Sequence, residues 1–179
     1  MTIWKTLSSK IVDENPFHTY RIDEFERSDG SRGKYHYIEK LPCCIVVPVT
    51  HDDQFLLVHP YRYLQKQRSW EFPMGASEAG ETPEEGARRE CIEETGYDAK
   101  EFTLIGEFEV APGTVAQKAF VYLGRKLFSS DAFQPDEHEG RLPQKTVTQA
   151  RFQDMIRAGE ITDSLTLAAY LLYLSHVQS

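Results

Sequence analysis

The chain has 179 residues, a formal net charge of −8 at pH 7 and a hydrophobic content of 40%. This length can bury a core, and the negative charge argues against a nucleic acid partner, because binding a phosphate backbone requires basic patches. No apolar run reaches membrane-spanning length, residues 1–14 lack the apolar region of a signal peptide, and the cysteines are odd in number without metal-site spacing. We therefore expect a cytoplasmic protein with neither a nucleic acid nor a membrane as partner.

Residues 1–40 contain three strand-like stretches, WKTLSSKIVDE, HTYRIDEFER and GKYHYIEK, with a turn between the last two. Several aromatic residues but few aliphatic ones occur here, so this part is not expected to bury a core alone. We predict an N-terminal antiparallel β extension over residues 1–40 that packs on another surface, such as a second subunit. Residues 41–179 would form the main domain.

The main domain is predicted to begin with a buried strand at Leu41–Val49, because these residues form a nearly continuous apolar run. The stretch QFLLVHPYRY is its expected hairpin partner, and WEFPMG is a short strand. Two further strands, EFTLIGEFEV and KAFVYLGRKL, precede a long polar loop over residues 129–144, and KTVTQARF predicts a strand that continues into a short helix. A final helix starts near Asp163. Its predicted core stripe consists of Leu167, Ala168, Leu171 and Leu172.

A helix with clear local signals follows the glycine-containing turn after WEFPMG. Thr82 and Glu85 form a capping box, Pro83 takes the first helical position, and Gly96 provides the stop. These residues predict a helix that begins just after Thr82 and ends before Gly96.

Three glutamates of this helix, Glu90, Glu93 and Glu94, lie within one arc of about 100°. The arc borders the apolar side, which is marked by Ala87, Cys91 and Ile92. Glu90 and Glu94 are one turn apart, so their charges repel, and a position beside the core makes this costly unless a cation compensates. Carboxylate oxygens are ligands that Mg²⁺ prefers. The spacing therefore predicts a magnesium site on this helix.

The acidic helix is part of a longer pattern. Gly75 is followed after five residues by Glu81, after seven more by Arg89 and Glu90, and then by the run EETG at residues 93–96. This pattern resembles the Nudix box, the signature of hydrolases that act on nucleoside diphosphates linked to another group. The resemblance implies the Nudix fold, an α/β/α sandwich with a mixed sheet, here preceded by the N-terminal β extension.

The resemblance also implies the roles of the box residues. Hydrolysis of a pyrophosphate linkage would be assisted by Mg²⁺, for which Mn²⁺ is a possible substitute. The implied metal ligands are Glu90, Glu94, Glu93 and the backbone carbonyl of Met74. The implied structural positions are Gly75, Glu81, Arg89 and Gly96. We expect Arg89 to pair with Glu81 and hold the loop against the helix; the alternative is a clamp on a substrate phosphate.

Stretches on both sides of the box resemble the ADP-ribose and nucleoside diphosphate sugar pyrophosphatase branch of the family. They are HPYRY, WEFPMG, APGT and GEITDSLTLAA. In that branch the arginine that matches Arg62 contacts the substrate; the alternative is an arginine whose side chain lies along the surface. The branch implies a homodimer with exchanged N-terminal strands, and stacking on the base is expected from Tyr61, Tyr35 or Tyr37.

The branch also places its general base in a loop, within an E-x-E pair. Glu137 and Glu139 match that pair; Glu137, the first, is the favoured base, and Glu139 would be a further metal ligand. The alternative is that both residues belong to a solvated acidic loop. Glu93 is then the next candidate for activating the water.

The sequence leaves several substrates as candidates. The branch carries an acidic residue after its Pro-Gly turn that meets the terminal ribose of ADP-ribose, whereas residues 114–118 contain no carboxylate. ADP-ribose and an ADP- or GDP-hexose are therefore both candidates. The alternatives are another nucleotide, such as a dinucleoside polyphosphate or an oxidised nucleotide, and a Nudix domain that senses a nucleotide without cleaving it. Retention of every box carboxylate favours an enzyme.

Overall fold

The computed structural model describes residues 4–132 and 142–178. The chain divides into two compact units, one made of Met1–Pro42 and Phe108–Lys118, the other of Cys43–Glu107 and Ala119–Ser179. The first unit contains the segment predicted as an N-terminal extension together with a second stretch of chain; the boundary after residue 40 stays a prediction. None of the helices in these described ranges is long and apolar enough to cross a membrane.

The strands and helices follow one another along the described residues in a mixed order. They are β1 (Trp4–Asn15), β2 (His18–Arg27), β3 (Arg32–Glu39), β4 (Cys43–Pro48), β5 (Phe55–Val58), β6 (Tyr61–Arg62), β7 (Gln67–Arg68), β8 (Met74–Ala76), α1 (Pro83–Thr95), β9 (Tyr97–Ala111), β10 (Val115–Ser129), β11 (Gln144–Val147), α2 (Gln149–Arg157) and α3 (Ser164–Val177).

The first unit is built from long strands around one buried ring. β2 pairs antiparallel with β1 and with β3, and β3 lies parallel to the start of β10. Phe25 is the one hydrophobic side chain buried within residues 4–42 and 108–118. Its ring stacks on Trp4 at a centroid distance of 4.3 Å, and Gly33 makes room for it, because a Cβ there would lie 2.6 Å from the ring. The apolar residues that stay exposed on β1 are Trp4, Leu7, Ile11 and Val12.

The core of the second unit is centred on β4, whose six residues are all buried. β10 lies parallel to β4, and β8 lies antiparallel to it on the other side, so the sheet is mixed as expected. The helix α1 packs on β4. The buried cluster between them contains Cys44, Val46, Ala87, Cys91 and Tyr122. No disulfide bond joins Cys43, Cys44 or Cys91 within the described residues, and all three are buried.

Two predictions about the second unit are wrong. β5 is not a hairpin partner of β4: a single bridge joins Val49 to Phe55, and the ladder of β5 is formed with β11. α3 begins next to Asp163 as predicted, and Asp163 is its N-cap. The predicted core residue Leu171 is 64% exposed. The residues of α3 that are buried are Thr166, Ala169, Tyr170 and Tyr173.

An aromatic cluster explains the orientation of α3. The ring of Phe55 contacts those of Phe72, Phe152, Tyr170 and Tyr173 edge to face, with centroids between 5.0 and 5.9 Å apart. Edge-to-face pairs add to the burial of apolar surface. The two tyrosines of α3 therefore turn towards β5, and the leucine stripe is displaced from the core.

We expect Phe152→Ala to lower the free energy of unfolding by about 3–5 kcal/mol, because it removes a fully buried ring and leaves a cavity. Tyr63→Ala removes a ring that is 79% exposed and should change stability by less than about 0.5 kcal/mol. Urea denaturation of both variants measures the difference. Equal stabilities would contradict the role of the aromatic cluster.

Candidate active site

The helix α1 has the boundaries that its capping residues predict. Thr82 is the N-cap: its side chain accepts a hydrogen bond from the backbone N–H of Glu85, and the carboxylate of Glu85 accepts one from the backbone N–H of Thr82. Gly96 ends the helix in the left-handed conformation with φ of 80°, which glycine adopts without strain. These local signals fix which residues of α1 face the core.

The buried face of α1 differs from the prediction at one position. Gly86, Ala87, Cys91 and Thr95 are buried, whereas Ile92, predicted on the apolar side, is half-buried. Thr95 can be buried because its hydroxyl donates to the carbonyl of Cys91. The glutamates beside this face are consequently part-buried.

Glu90 and Glu94 both contact the strand β8. A Cβ at Gly75 would lie 2.1 Å from the carboxyl group of Glu90, so that carboxyl lies directly against the strand backbone. The carboxylate of Glu94 accepts a hydrogen bond of 3.1 Å from the backbone N–H of Met74. Two of the predicted ligand side chains, those of Glu90 and Glu94, therefore lie against the backbone of β8 at Gly75 and Met74.

Arg89 joins the loop to the helix. Its guanidinium donates two hydrogen bonds to the carboxylate of Glu81, at 3.0 and 3.1 Å, and one of 2.9 Å to the carbonyl of Ala76. Its Nη1 also donates to Glu90 at 2.8 Å and to Glu93 at 2.9 Å. The predicted pairing of Arg89 with Glu81 is present, and the same side chain holds two of the predicted metal ligands.

The charges of this cluster are unbalanced. Glu81, Glu90, Glu93 and Glu94 are four carboxylates against the one guanidinium of Arg89, so negative charge exceeds positive charge among these five side chains.

Burial and hydrogen bonds shift the pKa values of three of these groups. Burial raises the pKa of Glu90, because the charged form loses its hydration. The hydrogen bond from Arg89 lowers the pKa of Glu81. Burial acts to lower the pKa of Arg89, but hydrogen bonds to Glu81 and Glu90 outweigh it, and the pKa is raised.

The donor chemistry of the cluster fits a hard divalent cation, since it offers carboxylate oxygens and an excess of negative charge. Within residues 4–132 and 142–178, no three histidine, cysteine, aspartate or glutamate side chains converge closely enough to hold a metal ion. Glu90 and Glu93 are turned to the guanidinium of Arg89 instead. Side-chain rotation of the glutamates would be needed to gather them around an ion.

Arg62 is held by a buried carboxylate that the sequence analysis missed. Its Nε lies 3.1 Å from both carboxylate oxygens of Glu71, and its Nη2 contacts the same group. Glu71 is 1% exposed and Arg62 is 39% exposed, so the guanidinium has a fixed direction and still reaches solvent. The hydrogen bond to Glu71 raises the pKa of Arg62. The sequence signal that could have indicated this ion pair is the acidic residue between Trp70 and Phe72 in the short apolar stretch WEFP.

Arg62 borders a polar cavity of about 400 Å³. The other residues that line it are Gln65, Gln67, Ser69, Glu71, Thr162, Asp163 and Ser164. Amides, hydroxyls and a guanidinium can hydrogen-bond to sugar hydroxyls and phosphate oxygens. Arg62 borders this cavity, and its role as a substrate contact stays a prediction.

Tyr35 and Tyr37 lie together in the first unit. They line a cavity of about 210 Å³ with Pro112, Thr114, Val115 and Ala116. Tyr35 is fixed by its hydroxyl, which donates to the carbonyl of Gly113 at 2.7 Å. Tyr61, the third candidate for stacking, lies in β6 of the other unit with 53% of its surface exposed.

Glu137 and Glu139, the predicted base and additional ligand, lie outside the described residues. Their roles stay predictions.

Comparison with known proteins identifies the family. Residues 40–161 match the family described as NUDIX domain, and the chain belongs to this family of hydrolases. It is 26% identical to an ADP-ribose pyrophosphatase of Bacillus subtilis over 92% of this chain and 89% of that protein. It is also 26% identical to an ADP-ribose pyrophosphatase of Mycobacterium tuberculosis over 94% of this chain and 82% of that protein.

The fold is confirmed by a solved structure. The crystal structure of an ADP compounds hydrolase matches 99% of this chain and 96% of that chain with a TM-score of 0.86 at 21% identity. The predicted Nudix fold with a mixed sheet is therefore correct, and so is the resemblance to the ADP-ribose pyrophosphatase branch.

Gly75→Ala should displace the carboxyl group of Glu90, because the added Cβ would lie 2.1 Å from it. Because Glu90 is a predicted metal ligand, we expect the hydrolytic rate to fall about 10- to 100-fold, the usual cost of disturbing the surroundings of such a ligand. The rate is measured on whichever diphosphate compound the parent protein cleaves.

Gly106→Ala is the matched control, since its Cβ would meet Leu172 at 2.9 Å in another part of the second unit. It should lower the melting temperature without lowering the rate. Equal losses of rate in both variants would contradict a specific contact between Gly75 and Glu90.

Proposed function

We propose that this Nudix hydrolase cleaves the pyrophosphate linkage of a nucleoside diphosphate sugar and releases a nucleoside monophosphate and a sugar phosphate. The observation that carries the proposal is the placement of the Glu90 and Glu94 carboxylates on the backbone of β8, beside the ion pairs that Arg89 forms with Glu81, Glu90 and Glu93. The two relatives named as ADP-ribose pyrophosphatases, matched over most of their length, support the substrate class.

The cation of this proposal is Mg²⁺, with Mn²⁺ as a possible substitute. Glu90, Glu94, Glu93 and the backbone carbonyl of Met74 would hold it. When bound, such an ion neutralises charge on the diphosphate and lowers the pKa of a water molecule. Arg89 would keep Glu81 in place and limit the repulsion between Glu90 and Glu93.

Two further parts of the chain offer binding groups for the substrate. Arg62 is oriented by Glu71 and presents a cation to the polar cavity, which suits a phosphate and the hydroxyls of a sugar. Tyr35 and Tyr37 offer aromatic surface for a nucleobase in the first unit.

Glu137 is proposed as the general base, with Glu139 as an extra metal ligand. Glu93 is the alternative base, because its side chain is 34% exposed and its carboxylate is held on α1 by Arg89. ADP-ribose and an ADP- or GDP-hexose are proposed as candidate substrates.

Glu94→Gln keeps the shape of the side chain and removes its charge. We expect kcat to fall by a factor of about 10² to 10³, because charge stabilisation at the reacting phosphate is lost. The assay offers ADP-ribose, ADP- and GDP-hexoses and dinucleoside polyphosphates with saturating Mg²⁺, and scores nucleoside monophosphate and sugar phosphate. Glu84→Gln is the control, since Glu84 is an exposed residue of the same helix that pairs with Arg88.

The two parts of this proposal can fail separately. A Glu94→Gln rate within a few-fold of the parent would remove the assigned role of Glu94. A parent protein that cleaves only the polyphosphates would remove the nucleoside diphosphate sugar as substrate.

We also propose a homodimer that covers the first strand. β1 is exposed along its length and carries Leu7, Ile11 and Val12 at its surface. Among the described residues of its unit, Phe25 is the one hydrophobic side chain that is buried. A second copy of the chain would cover this apolar surface.

Light scattering at micromolar concentration should give twice the chain mass of 20.6 kDa. Val12→Lys should shift the mass towards the monomer, because a charge on a buried apolar surface is costly. Leu171→Lys, at a residue of α3 that is 64% exposed, should leave the mass unchanged. A parent protein that is monomeric and active would refute the dimer.

A further inference from the structure

The last turn of α1 needs hydrogen-bond donors from elsewhere in the chain. The final carbonyls of a helix have no partner within the helix, and side chains of lysine or arginine often supply one. The last turn of α1 contains no basic residue; it contains Glu93 and Glu94, whose charges are unfavourable at the negative end of the helix dipole. This turn nevertheless carries two of the proposed metal ligands, Glu93 and Glu94.

Two remote residues supply the donors. The side-chain amide of Gln144 donates to the carbonyls of Glu94 and Thr95, at 2.9 and 3.1 Å. The backbone N–H of Ser130 donates to the carbonyl of Gly96 at 2.9 Å. Three consecutive carbonyls at the end of α1 are thus satisfied by residues that lie far along the chain.

Gln144 is itself firmly placed. It is the first residue of β11 and lies opposite Val58 in the buried strand β5. Leu142, two residues before it, is 6% exposed. The amide therefore projects from a strand that is fixed to the core of the second unit. Its hydrogen bonds to the carbonyls of Glu94 and Thr95 restrict the motion of the last turn of α1.

Glu94 is consequently held at both ends. Its carboxylate accepts a hydrogen bond from the N–H of Met74, and its backbone carbonyl accepts one from Gln144. An amide is well suited to this position because it donates without a charge. A lysine or arginine would satisfy the same carbonyls but would compete with a cation for the carboxylate of Glu94.

We propose that Gln144 is a positioning residue for Glu94: it fixes the last turn of α1 so that the Glu94 carboxylate stays on β8, ready for the metal ion. The inference rests on the proposed function, in which Glu94 is a metal ligand. Substitution of a residue that orients a metal ligand typically costs 10- to 100-fold in metal affinity or activity.

The test compares Gln144→Met with Gln153→Met. Both remove a side-chain amide of similar burial; Gln153 donates to the hydroxyl of Tyr170 at 2.8 Å and has no contact with α1 among its hydrogen bonds to described residues. Binding of Mn²⁺ without substrate is followed by the electron paramagnetic resonance signal of the free ion. Hydrogen exchange of the Met74 amide, the melting temperature and the Mg²⁺ dependence of kcat are measured on the same samples.

Gln144→Met should weaken Mn²⁺ binding about 10- to 100-fold, speed exchange of the Met74 amide and raise the Mg²⁺ concentration for half-maximal rate. Gln153→Met should lower the melting temperature and leave these three quantities unchanged. A lower melting temperature with parental Mn²⁺ affinity in Gln144→Met would show that Gln144 is merely structural and would overturn the inference. Gln144→Ala, which removes the amide without adding a charge, serves if the methionine variant does not fold.

Glu94→Gln separates this inference from the proposed function. If Glu94→Gln loses Mn²⁺ affinity while Gln144→Met keeps it, the role of Glu94 stands and that of Gln144 is refuted. If Glu94→Gln binds Mn²⁺ like the parent, the proposed metal ligand is wrong, and the inference falls with it.

Discussion

The contact between the Glu90 carboxyl group and the backbone of Gly75 constrains the whole centre of the second unit. A carboxyl so close to a strand is largely dehydrated, and its charged form must be compensated by neighbours. Three features make this contact possible: the glycine in β8 and the small residues on the face of α1 leave room for the carboxyl group, and the guanidinium of Arg89 compensates its charge. The sheet and the helix can approach each other only because all three are present.

Local signals made α1 predictable from the sequence. The capping box at Thr82 and Glu85 and the stop at Gly96 are satisfied by hydrogen bonds that span a few residues, so they could be read before any tertiary contact was known. The same is true of the acidic arc, which follows from helix geometry. The pairing of Arg89 with Glu81 bridges two neighbouring elements and was predictable only through the family resemblance.

The missed pairings of α3, β5 and Gln144 depend on partners that are distant in the chain. The leucines of α3 look like a core stripe, yet Tyr170 and Tyr173 are drawn to Phe55, and the hydroxyl of Thr166 accepts from the N–H of Phe72. β5 pairs with β11 although a nearer strand precedes it, and Gln144 stood in a predicted polar loop. No local sequence pattern predicts such pairings, because each depends on tertiary contacts with residues from other parts of the chain.

The buried cysteines have a practical consequence for spectroscopy. Burial raises the pKa of Cys44 to about 11 and that of Cys91 to about 12, so almost no thiolate forms at neutral pH, and neither sulfur is accessible to a reagent. A cysteine introduced on the surface would therefore react far faster than these two native thiols. Fluorophores or spin labels can be attached to such a surface cysteine without replacing Cys44 or Cys91, whose small side chains fill the space between α1 and the sheet.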